Sequence, residues 1–239
     1  MIPKNIYFFF DDGLDLMHQV LKDNIEFVKN QNPLYNVILY DTKKVNDYLK
    51  KKNSTYYRIF NLLNPKFANL LANYFRYVIL YEEGGVYLDI KSRPNKPIDE
   101  IINQNSKLWL CFASAKELDI QSCFMMSEKN SIYFKKVIEV FNCNVGIYNS
   151  LKINIDSPKK NCLKLFGTYM LADMVREQKK NIEFSNSEYI LVKSRYWRKF
   201  GVFSCYKNLS SNRIFSSKHY DLYNKPAYRT VKEHLIKSS

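Results

Sequence analysis

An arginine, two glycines, an aspartate and a lysine stand close together in FRYVILYEEGGVYLDIKS, residues Phe75 to Ser92. Ahead of the glycines, Phe67, Leu70, Leu71, Tyr74, Val78 and Tyr81 recur at the three-and-four spacing of a buried helical face. That spacing places Asn73 and Arg76, three apart, together on another face. Gly84 and Gly85 suit the left-handed conformation that ends a helix and turns the chain sharply. Beyond them the period becomes two, with Val86, Leu88 and Ile90 facing one way and Tyr87, Asp89 and Lys91 the other. An aromatic ring, a carboxylate and an ammonium at the carboxyl end of a strand could bind an anionic, hydroxyl-rich ligand. In open α/β sheets the ligand crevice lies there. A solvated strand end is the commoner explanation of an isolated DxK; the attached Arg76 and glycine pair are what point to a site.

The remaining elements must carry that strand. IYFFF, 6–10, is an apolar run suited to a buried strand, and DDG after it marks a loop. A helix over 14–29 and a second strand over 36–40 complete a strand–helix–strand opening, the start of a parallel α/β sheet. Helices are predicted over 43–52, 57–63 and 66–83, strands over 107–113 and 120–127, and a helix over 131–141. Residues 142–161 lack a clear period and are expected to form a loop with short elements. A helix over 167–180 and a strand over 189–193 follow. The chain shows no repeat or linker, so residues 1–239 are expected to form one domain, with a basic, aromatic segment from about 194.

Length and charge set further bounds. A chain of 239 residues can bury a sizeable core. No apolar run approaches a membrane span, and the acidic N-terminal stretch does not read as a signal peptide. Cys111, Cys123, Cys143, Cys162 and Cys205 are scattered, with no CxxC pair, which suits a reducing, cytoplasmic compartment. The net charge is +14, and residues 193–239 carry eleven Lys and Arg against Asp221 and Glu233. Such a surface attracts polyanions, an anionic membrane among them. Tyr196, Trp197, Phe200 and Tyr206 interleave with these cations, but no nucleic-acid-binding signature accompanies them, so nucleic acid ranks last among the partners.

The run RY, LY and GGVYLD resembles the DXD-containing sugar transferases. That family includes the yeast initiation-specific mannosyltransferase, bacterial capsular-polysaccharide transferases and, more distantly, the catalytic domains of large clostridial toxins. IPKNIYFFF is similar to the family's opening strand, IPKxIHxxW, with Tyr7 at the His position and Phe10 at the Trp position. NPLYNVILYD resembles its second strand, LANYFRY its helix motif (A/S)DxxRY, FGTYMLADMV its TGPxxLT segment, and KHY at Lys218 to Tyr220 its C-terminal histidine. These pieces cover most of the chain in the family's order.

The resemblance implies a GT-A fold, a Rossmann-like α/β sandwich with a central, mostly parallel sheet. It implies transfer of a sugar, with retention at the anomeric carbon, from a nucleotide-diphospho-sugar to a glycan or protein acceptor. It casts Asp89 and Arg76 as the catalytic pair and Phe10, Asn73, Arg76, Gly85, Tyr87, Asp89 and Lys91 as the donor-binding set, with Phe10 stacked on the base. Asp89 and His219 would hold a divalent cation, Mn²⁺ or Mg²⁺. The chain departs from the pattern at two places: Lys91 stands where the family has a second Asp, and Asn73 where it has Asp. Either Asp89 and His219 hold a weaker cation, or the Lys91 ammonium takes over part of its work. A degenerate fold that binds nucleotide or sugar without transfer is the alternative.

Overall fold

The computed structural model describes residues 1–94, 96–102, 105–112, 119–151, 158–179, 189–192 and 234–237. In chain order the opening elements are β1 (Asn5–Phe9), α1 (Gln19–Gln31), β2 (Asn36–Tyr40), α2 (Thr42–Lys52), α3 (Ser54–Leu62), α4 (Ala68–Glu82) and β3 (Gly85–Asp89). A single 3₁₀ turn, Ile98–Glu100, precedes β4 (Leu108–Cys111) and β5 (Phe124–Ser127). They are followed by α5 (Ile132–Leu151), α6 (Pro158–Phe166), α7 (Thr168–Lys179) and β6 (Tyr189–Val192).

The strands form one six-stranded sheet in the order β2-β1-β3-β5-β4-β6. β1 pairs in parallel with β2 and β3, and β4 in parallel with β6, while β5 runs antiparallel to both of its neighbours. The sheet is therefore mixed but mostly parallel, as expected.

Alternation along the strands divides the core. Ile6, Phe8, Val86, Leu88, Trp109, Cys111, Phe124 and Met126 face the side covered by Val28 of α1 and by Ile98. Tyr7, Phe9, Tyr87, Leu108, Leu110 and Met125 face the other side, where α2 to α7 all contribute buried residues. The two faces are unequal, and α4, with eleven buried positions in a row from Leu70 to Leu80, lies between the sheet and the outer helices. A helix apolar all round is a core helix, so the three-and-four stripe read from its sequence understated its burial.

Two elements differ from expectation. The first helix starts at Gln19 rather than at 14, because Gly13 takes φ +78° and His18 is extended and caps the helix, its Nδ1 accepting from Val20 N–H at 3.3 Å. Within the expected loop over 142–161, residues 142–151 are instead the second half of α5 and 158–161 the start of α6, while 152–157 lie outside the described residues. Phe141, Val145 and Tyr148 continue the buried stripe of Phe134, Val137 and Ile138. Asn142, Asn144 and Gly146, poor helix formers, obscured that stripe, but packing against α4 overrides their propensity.

The α4–β3 link shows why two glycines are required. Gly84 and Gly85 have φ of +67° and +99°. A Cβ on Gly84 would lie 2.5 Å from the Lys129 backbone nitrogen, and one on Gly85 would lie 2.8 Å from the Asn5 carbonyl oxygen. Both the dihedral and the close backbone approach exclude a side chain. Gly84→Ala is expected to destabilise the protein by about 1–3 kcal/mol, read as a lower denaturant midpoint. An unchanged midpoint would show that the turn can relax.

Candidate active site

The chain leaves β1 for β2 on one side and returns to β3 on the other, so the strand order reverses between β1 and β3. The carboxyl ends of two strands that part in this way leave a crevice between their connections. Asp89, the last residue of β3, sits there opposite Phe9, the last of β1.

Arg76 reaches the same point from the middle of α4. Its Nη2 donates to Asp89 Oδ1 at 2.8 Å, its Nε to the Ala72 carbonyl at 3.2 Å and its Nη1 to the Ser122 carbonyl. The guanidinium carbon lies 4.5 Å from the centroid of the Tyr87 ring, a cation–π stack. Arg76 is 3 % exposed and the Asp89 side chain 26 %. Burial by itself would lower the arginine pKa, but the Asp89 carboxylate, followed by the phenols of Tyr87 and Tyr77, raises it, so the guanidinium stays charged. Burial pushes the Tyr87 hydroxyl up, against the opposing pull of Arg76, so Tyr87 is a neutral phenol.

Asp89 is further fixed through its backbone N–H, which donates to the Cys123 carbonyl at 2.9 Å. The segment entering β5 therefore holds both members of the pair, through Ser122 and Cys123. Ile120 N–H in turn donates to the Thr168 carbonyl, which brings the α6–α7 junction alongside. Asn73 Nδ2 and the Tyr77 hydroxyl both donate to the Phe166 carbonyl at 3.2 Å. An amide can make that bond and an aspartate cannot, a physical reason for Asn at this position. The parts expected from LANYFRY, GGVYLD and FGTYMLADMV thus meet at one place.

Several expected site residues lie differently from their sequence reading. β3 ends at Asp89, and Lys91 lies in a turn closed by Ser92 N–H donating to the Asp89 carbonyl at 2.7 Å. Strand alternation therefore stops short of Lys91. Gly85 is at the amino end of β3, four residues and roughly 13 Å from Asp89, where it makes the turn from α4. Phe10 is 8 % exposed and packs with Met17 and Leu21. Arg76 and Tyr87 are turned toward protein groups, and Asn73 toward Phe166. Ser122, Phe166 and Asn24 were not singled out in the sequence; two act through backbone carbonyls, which no side-chain pattern reveals.

Among the described residues the donor set does not fit a resident divalent cation. One carboxylate oxygen of Asp89 is bonded to Arg76, Lys91 replaces the second acid, and no group of three His, Cys, Asp or Glu side chains among the described residues could hold a metal. His219, the other expected ligand, lies outside the described residues, as do Tyr196, Trp197, Phe200 and Tyr206.

A carboxylate at the switch point of an α/β sheet with a guanidinium behind it stands where such sheets bind their ligands. Residues 18–108 match the family of the glycosyltransferase sugar-binding region containing DXD motif. Among solved structures it is similar to the ligand-free glycosyltransferase domain of the YGT toxin, at 8 % identity and a TM-score of 0.62, over 92 % of this chain and 85 % of that one. The UDP-bound form of that domain aligns at 9 % identity and a TM-score of 0.60, covering 90 % and 82 %. The catalytic domain of the alpha-toxin from Clostridium novyi aligns at 10 % identity and a TM-score of 0.53, covering 93 % and 82 %. At these identities the likeness establishes the GT-A-like fold alone. No curated protein matches the chain by sequence. No helix among the described residues is long and apolar enough to cross a membrane.

Asp89→Ala would leave the buried Arg76 charge without its partner and is expected to cost about 2 kcal/mol. Asp89→Asn, which keeps an acceptor oxygen, should cost less. Equal unfolding midpoints for wild type and Asp89→Ala would show that the pair does not support the fold.

Proposed function

We propose that this protein is a retaining glycosyltransferase that takes a sugar from a nucleotide-diphospho-sugar and passes it to a glycan or protein acceptor. The observation that carries the reading is the position of Asp89: a partly exposed carboxylate at the switch point, oriented by a buried arginine, in a chain that matches a glycosyltransferase family over residues 18–108. A carboxylate held in this way and 26 % exposed can accept hydrogen bonds from ribose or sugar hydroxyls. Arg76 acts on the reaction by orienting that carboxylate and by adding positive potential beneath the crevice. The likeness to a domain solved with UDP makes a uridine diphosphate sugar the first donor class to try.

Departure of a nucleoside diphosphate concentrates negative charge on its oxygens, and stabilising that charge accelerates the step. Among the described residues that work falls to Lys91, two residues beyond Asp89, because the donor set does not suit a metal. The catalytic unit is read as the whole chain, with the basic segment from about 194 contributing to an anionic ligand or surface. A reducing, cytoplasmic setting fits the four described cysteines, which form no disulfide with one another.

Three measurements test the proposal. Asp89→Asn should lower donor hydrolysis and transfer by at least about 100-fold with a circular dichroism spectrum like that of wild type; unchanged turnover would defeat the assignment. In excess EDTA the wild type should keep its activity, whereas loss restored by Mn²⁺ would assign the charge-stabilising role to a cation and to ligands such as His219. Nucleotide-sugar binding in calorimetry without released nucleoside diphosphate would favour the degenerate, binding-only alternative, which the replacements at Asn73 and Lys91 motivate.

A further inference from the structure

The turn after β3 is held by an asparagine from the other face of the sheet. Asn24, in the middle of α1, is 1 % exposed. Its side-chain amide donates to the carbonyls of Ile90 and Ser92, each at 3.0 Å, and its Oδ1 accepts from Arg93 Nε at 2.9 Å. The Arg93 guanidinium carbon lies 4.2 Å from the centroid of the Phe27 ring, also on α1. Both N–H groups and the oxygen of one buried amide are thus engaged with residues 90, 92 and 93. The residue they enclose is Lys91.

Ser92 is fully buried and Ile90 and Lys91 are half-buried, so the turn needs protein partners for its carbonyls. Burying an amide to hold it costs desolvation and rotamer freedom, and the return is a backbone with little room to move. Ser92 N–H closing onto the Asp89 carbonyl and Asn24 gripping Ile90 and Ser92 together fix the path from the carboxylate to the ammonium.

We infer that Asn24 is a positioning residue of the transferase site, acting through the backbone of Ile90 and Ser92 to hold Lys91 where charge develops on the leaving diphosphate. This rests on the nucleotide-sugar reading. Asn32 supplies a control. It is 3 % exposed, donates to the Val28 carbonyl at 2.8 Å and accepts from Ile98 N–H at 2.7 Å. It lies eight residues, roughly 12 Å, further along α1.

Wild type, Asn24→Asp, Asn24→Ala and Asn32→Ala would be compared for thermal unfolding, hydrolysis of UDP-glucose, UDP-N-acetylglucosamine and GDP-mannose, and amide hydrogen exchange over residues 90–93. Asn24→Asp can still pair with Arg93 but cannot donate to the two carbonyls. Both Asn24 variants should lose about 10- to 100-fold in kcat with a smaller change in donor KM, and exchange faster at 90–93. Asn32→Ala should lower the unfolding temperature and keep kcat. Wild-type kcat in folded Asn24 variants, or a loss that Asn32→Ala matches at equal destabilisation, overturns the inference while leaving the transferase reading intact. Unchanged exchange at 90–93 overturns it irrespective of turnover. A wild type that hydrolyses none of the donors, yet shows the exchange change, removes the nucleotide-sugar reading and keeps only the structural grip.

Discussion

A guanidinium with almost no exposed surface needs a counter-charge within reach, and Arg76 has one, the Asp89 carboxylate. Leaving that ion buried without a partner would cost a few kcal/mol, a sizeable share of a domain's net stability, so the pair favours the packing of α4 on β3. The carboxylate is placed at the strand end by this need, and it stays partly exposed. Ser122 and Cys123 extend the constraint to the antiparallel strand, since one carbonyl accepts from Arg76 and the next from Asp89 N–H.

The rest of the architecture follows from bringing those two residues together. They are thirteen apart in sequence, and the chain must reverse between a helix end and a strand start. Gly84 and Gly85 make that reversal at positive φ with backbone atoms of Asn5 and Lys129 pressed against them. α4 then lies across the sheet face that bears Tyr7, Phe9 and Tyr87, and the outer helices cover α4. The unequal division of helices between the two faces is a consequence of this central buried helix.

The departures from the DXD pattern have separate physical meanings. Asn73 makes a bond to the Phe166 carbonyl that a carboxylate would repel, which ties the α6–α7 junction to α4. Lys91 exchanges a metal-binding oxygen for a single positive charge on a flexible stem. An ammonium supplies potential but no coordination geometry, so a site that relies on it needs another source of precision. The grip of Asn24 on the turn around Lys91 is such a source.

Much of this was legible in the chain. The strand–helix–strand opening, the glycine pair, the long helix and the shared face of Tyr87 and Asp89 are local in origin, arising from periodicity and from the conformations open to glycine. The family's motifs were legible for the same reason. The loop expected over 142–161 is helical over 142–151, because Asn and Gly are weak helix formers that packing on α4 nonetheless recruits. The end of β3 at Asp89, the inward turn of Phe10, and the roles of Ser122, Phe166 and Asn24 were decided only by the tertiary structure. Each depends on a backbone carbonyl or a neighbouring helix far away in sequence, and a hydrogen bond between distant segments leaves no spacing in the chain from which to read it.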